Sequence, residues 1–67
     1  MKFTLNNRPE SIEYETISIE ELIKLKNFTF KLLVTKINGT LVKKENRTSS
    51  FVKDGDDVLI LHLISGG

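Results

Sequence analysis

Only one stretch of this 67-residue chain carries helical periodicity, and it sits between two groups of strand-like segments. Ser18-Ile19-Glu20-Glu21 has the form of a capping box, in which the Ser18 hydroxyl accepts from the Glu21 amide and the Glu21 carboxylate reaches back. Ile17 and Leu22 stand where a hydrophobic staple would pair them. Ile19, Leu22 and Ile23 then share one face at i, i+3, i+4 spacing. Glu20 and Glu21 at the start, with Lys24 and Lys26 near the end, complement the helix dipole, and Asn27 is the stop signal. The pattern predicts a short helix over roughly 19–26.

Everything else reads as strand or turn. Phe3 and Leu5 alternate with Lys2 and Thr4, which places both apolar side chains on one face of a strand. Asn6-Asn7-Arg8-Pro9 has turn chemistry, and Ile12 and Tyr14 alternate with Glu13 and Glu15 as a returning second strand. Beyond the helix, 30–37 is apolar and β-branched and runs into Asn38-Gly39, a hairpin signal. Thr40-Leu41-Val42 returns as a strand, 43–50 reads as a polar loop, and Asp54-Gly55-Asp56-Asp57 makes a turn into a last strand over 58–64. A lone helix flanked by hairpins buries one sheet face only by lying across it. The expected fold is therefore α+β, a β-grasp (ubiquitin-like) domain. It has a mixed sheet of about five strands, one helix packed across it, and a single domain over 1–67 with a flexible tail at 65–67.

A chain of this size buries only about 60% of the surface its unfolded state exposes, so the core is small. With no cysteine, neither disulfides nor a thiolate metal site supplements it, which suits a reducing cytoplasm. No secretory leader opens the sequence and no apolar run approaches the ~18 residues of a membrane span. Ten basic and nine acidic side chains leave a net charge of +1, too balanced for nucleic-acid binding. Lys43, Lys44 and Arg47 form the local basic cluster, read first as a solvated loop and second as contact with an acidic partner.

The last strand is apolar on both faces: Val58, Ile60, His62 and Ile64 point one way, Leu59, Leu61 and Leu63 the other. A sheet covered by one helix commonly keeps its second face polar. Either loops cover the three leucines, or they dock a partner, as contiguous exposed apolar patches often do. The strand runs straight into Gly66-Gly67, so a partner gripping that face would also aim the tail, and this favours docking. Two glycines make a thin, pliable end able to thread a narrow slot. A bulky replacement at Gly66 should block that entry. The Gly67 carboxylate is ionised at neutral pH and offers a handle for chemistry by another enzyme.

Catalytic signatures are missing. His62 stands alone, with a rim position and one hydrogen bond as its expected role, and no nucleophile or second metal ligand accompanies it. The Asp54–Asp57 segment fits turn chemistry better than a calcium loop. Asn46-Arg47-Thr48 matches a glycosylation triplet by chance. The chain reads as a substrate of enzymes rather than an enzyme.

Asn38-Gly39 followed by Val42, Asp54-Gly55-Asp56, an apolar last strand and Gly66-Gly67 together resemble the ThiS family, the sulfur carriers of thiamine biosynthesis. The chain departs from the family's usual proline and arginine at Lys43-Lys44, and from an aromatic near Arg47. The resemblance implies that a ThiF-like adenylating enzyme, using ATP and magnesium, activates the Gly67 carboxylate. Sulfur from a cysteine desulfurase then gives a thiocarboxylate, which a ThiG-like thiazole synthase accepts. The carrier itself binds no cofactor, is cytoplasmic, and is a monomer when free. Gly67 carries the reaction, Gly66 permits threading, and Leu59, Leu61 and Leu63 dock the partner. Two other readings stay open: a small subunit of molybdopterin synthase, whose relatives are usually longer, and a ubiquitin-like modifier joined to lysines.

Overall fold

Two asparagines make the first turn. In the computed structural model, which describes residues 1–29 and 32–63, Asn6 and Asn7 both take positive φ, 53° and 65°. Two consecutive left-handed residues form the type I′ turn whose twist matches the flanking strands. It joins β1 (Lys2–Leu5) to β2 (Arg8–Ser11), with Leu5 opposite Arg8. The expected second strand through Ile12 and Tyr14 is thereby corrected: it lies earlier and includes Pro9. Pro9 faces Thr4 in a pair between the hydrogen-bonded rungs, on an edge strand, so its missing N–H breaks no ladder bond. Ile12 still donates to the Met1 carbonyl at 3.0 Å, while Tyr14 is exposed.

The helix forms where its caps demand it. Helix α1 (Ile19–Leu25) starts from Ser18, whose Oγ accepts from the Glu21 amide at 3.0 Å and donates to Glu21 Oε1 at 3.0 Å. The first-turn amides of Ile19 and Glu20 donate to the carbonyls of Ser50 (2.9 Å) and Arg47 (3.0 Å). These donors have no partner inside a helix. The segment read as a polar loop thus caps the helix from across the chain. It contains a 3-10 turn at Lys44–Asn46 and ends in β6 (Phe51–Val52), which pairs antiparallel with β3 (Ile17–Ser18). This second, two-stranded sheet was not expected. At the other end Asn27 is left-handed (φ 60°), with Phe28 N donating to Ile23 O and Asn27 N to Lys24 O, the two bonds of a Schellman cap.

Asn38 and Gly39 make a second turn of the same type (φ 51° and 82°) between β4 (Leu33–Ile37) and β5 (Thr40–Val42). Residues 30 and 31 of the expected strand lie outside the described residues, as does Ile64 of the last strand. That last strand, β7 (Asp57–His62), occupies the middle of the main sheet, in the order β2-β1-β7-β4-β5. It runs parallel to β1 and antiparallel to β4. Ile19, Leu22 and Ile23 of α1 are buried with Phe3, Leu5, Val58 and Ile60 of the sheet in one core. This is the mixed five-stranded β-grasp with one covering helix.

Two polar side chains finish the sheet where strands fall short. Strand β1 ends beside Val58, and the Asn6 side chain continues it, accepting from Ile60 N at 2.8 Å and donating to Ile60 O at 3.1 Å. On the opposite flank β5 stops at Val42, level with Thr35. Arg47 reaches past it and donates to the Leu33 carbonyl at 2.7 Å and to Thr35 Oγ1 at 3.4 Å. Thr35, fully buried, donates in turn to Val42 O at 2.6 Å. The expectation that Arg47 belongs to a solvated basic loop is therefore corrected, while Lys43 and Lys44 are exposed.

Because Ser18 satisfies the Glu21 amide and is itself buried, Ser18→Ala should destabilise the domain by about 1 kcal/mol. In a domain of this size that lowers the thermal midpoint by roughly 4–8 °C. Thermal unfolding followed by circular dichroism checks this.

Candidate functional site

Strand β7 divides its side chains between two environments. Val58 and Ile60 are 0% and 4% exposed against the helix side, whereas Leu61 and Leu63 on the reverse side are 46% and 49% exposed. Leu59 is half-buried. The pleat explains the split, since successive residues of a strand point to opposite faces. Of the three leucines expected on the open face, all lie there, and the two nearer the end of the described chain are the more exposed.

The register adds residues that a reading of β7 alone does not reveal. Val34 of β4 pairs with Leu61, and Lys36 with Leu59. Lys36 also pairs with Leu41 of β5. Leu63 donates its amide to the Leu32 carbonyl at 3.0 Å, continuing the β4 ladder by one step. Leu32 and Leu41 are each about half-exposed. The open face therefore carries six apolar side chains in three rows, on the half nearest Leu63. Its other half is polar, with Lys2 and Thr4 of β1 and Asp57 of β7. The missed residues had a signal: the two-residue turn at Asn38-Gly39 forces Ile37 opposite Thr40 and Lys36 opposite Leu41.

An open groove of about 210 Å³ runs along the β4–β5 edge, with Leu32, Val34 and Leu41 on its walls and Lys43, Lys44 and Arg47 around it. It exists because β5 ends at Val42 and the chain turns away at Lys43 into the 3-10 turn. The apolar half of the face thus passes directly into a basic margin.

The other residues singled out have structural employment. Asp54 Oδ1 accepts from Lys2 N at 2.7 Å, and Asp56 accepts from Lys53 N at 2.8 Å and from Asn38 Nδ2 at 3.1 Å. Asp57 Oδ1 accepts from Thr4 Oγ1 at 2.8 Å. Gly55 supplies the positive φ (87°) the turn needs. Among the described residues no group of three potential metal ligands gathers, and no helix is long and apolar enough to cross a membrane. His62 is exposed at the end of β7, opposite Leu33. Gly66 and Gly67 lie outside the described residues.

Comparison with known proteins agrees with this architecture. The chain matches the crystal structure of the thiamine biosynthesis protein (ThiS) from Geobacter metallireducens at 30% identity, with a TM-score of 0.87 and full coverage of both chains. The solution structure of a thiamine biosynthesis protein from the same organism matches at 30% identity and a TM-score of 0.77, covering all of this chain and 88% of that one. No curated protein sequence matches it. The model of the ThiS family matches residues 3–67, which takes in both hairpins, the helix, the central strand and the diglycine, and the chain belongs to that family.

Proposed function

We propose that this protein is a sulfur carrier for thiamine biosynthesis, loaded as a thiocarboxylate on Gly67. What supports the reading is that the family match runs through Gly66 and Gly67. The chain acts as a protein co-substrate, and the catalytic groups belong to its partners.

The chemistry follows from the carboxylate. An anionic carboxylate repels nucleophiles and has no adequate leaving group. A ThiF-like partner, using ATP and magnesium, joins a Gly67 oxygen to the α-phosphorus and releases pyrophosphate. The resulting acyl-adenylate splits one hard substitution into two easier ones. A sulfide equivalent, mobilised from cysteine by a desulfurase, attacks the carbonyl carbon, and AMP departs with the former carboxylate oxygen. The thiocarboxylate then delivers sulfur to a ThiG-like thiazole synthase. This chain holds no thiol of its own to trap the activated terminus.

Gly67 is four residues beyond Leu63, a reach of at most ~14 Å fully extended. The tail therefore enters a partner's pocket only if the body docks close to its mouth. The apolar rows of Leu59, Leu61 and Leu63 are the surface next to the point where the described chain ends, and they supply that docking. Gly66, with no Cβ, keeps the entering segment thin.

Two measurements test the reading. Incubation with the cognate adenylating enzyme, ATP and a sulfide source should raise the intact mass by one oxygen-to-sulfur exchange, and deletion of Gly67 should abolish the gain. An unchanged mass, with the enzyme shown active on another carrier, would overturn the assignment. Separately, Leu61→Asp should weaken binding to that enzyme by at least ~10-fold, since it places a charge in an apolar contact. The thermal midpoint should move little, because Leu61 is half-exposed in the free protein.

A further inference from the structure

One charge is set inside the apolar half of the open face. Lys36 is half-buried and stands directly opposite Leu41 on one side and Leu59 on the other. Cross-strand neighbours are about 4.5–5.5 Å apart at Cβ, so the lysine stem runs between two leucines. Lysine tolerates such a place by covering apolar surface with its methylenes while its ammonium stays in water. Among the described residues Lys36 has no carboxylate within ion-pair distance; the ion pair present joins Lys26 of α1 to Glu10 of β2. Asp57, on the same face and two residues from Leu59, already accepts the Thr4 hydroxyl.

A partner that covers Leu41, Leu59 and Leu61 also covers Lys36 and takes water from its ammonium. A buried, unpaired ammonium strongly opposes association, whereas one matched by a carboxylate does not. The exposed Lys43 and Lys44 beside the groove extend the same sign along the β5 edge. We infer that the docking partner presents an apolar surface bearing a carboxylate opposite Lys36, and that Lys36 selects this partner against surfaces that are wholly apolar or basic there. The inference rests on the docking role proposed above for the face. It assigns Lys36 a part in specificity, by penalising the wrong surface as much as by attracting the right one.

Titration of the cognate adenylating enzyme with the wild-type carrier, Lys36→Glu, Lys36→Met and Leu61→Asp, at low and high salt, separates the two ideas. Circular dichroism first establishes that each variant is folded. Lys36→Glu should raise Kd by at least ~10-fold at low salt through like-charge repulsion. Lys36→Met, which keeps the apolar stem, should bind with a shallower salt dependence than wild type, since the screened ion pair is gone. Wild-type affinity for Lys36→Glu, or an unchanged salt dependence for Lys36→Met, while Leu61→Asp fails to bind, would overturn the role of Lys36 and leave the docking face intact. Wild-type affinity for Leu61→Asp as well would overturn the docking reading itself.

Discussion

The structure depends on β7 being held between β1 and β4. That central strand runs parallel to its neighbour on one side and antiparallel to its neighbour on the other. Its inward residues, Val58 and Ile60, are the floor on which the helix rests, so its burial and the helix's burial are one event. Parallel pairing cannot be reached by a hairpin, and here the helix, the second hairpin and the loop after it all intervene between β1 and β7. The last strand to be made is therefore the one that closes the sheet. It ends at His62, five residues before Gly67 in the sequence.

A core this small leaves little tolerance for unpaired polar groups, and the fold meets that demand with backbone and side-chain groups from distant segments. Ser50 and Arg47 lend carbonyls to the first turn of the helix, Asn6 lends its amide to Ile60, and Arg47 lends its guanidinium to Leu33. Arg47 is involved twice, by backbone and by side chain, and so ties the 43–50 segment to both the helix and β4. That arrangement keeps β5 short, which opens the groove beside Leu41 and brings the basic margin against the apolar rows. A structural economy on the inner side thereby shapes the outer surface.

Legibility followed the range of the interactions. The helix was readable to within a residue because its cap, staple and stop are made among neighbours, from Ile17 to Asn27. Asn38-Gly39 announced its hairpin for the same reason. The first hairpin comes earlier than the alternation of Ile12 and Tyr14 suggests, because two left-handed asparagines already complete the turn and an edge strand accepts Pro9. The pairing of Ile17–Ser18 with Phe51–Val52 left no periodic trace, since two-residue strands are too short to show one. Of the open face, the alternating leucines at 59, 61 and 63 are visible in the sequence, while Leu32, Val34, Leu41 and Lys36 join them only through cross-strand register.

Taken alone, then, the amino-acid order determined the helix, the Asn38-Gly39 hairpin and the one-helix-on-one-sheet architecture, because capping, turn chemistry and alternation are local properties. Tertiary structure decided which of the apolar side chains stay in water, what Arg47 bonds to, and that Lys36 stands among leucines. Those outcomes depend on pairings between residues far apart in the chain, such as Thr4 with Asp57 and Lys36 with Leu59. Such pairings exist only once the sheet has closed around β7.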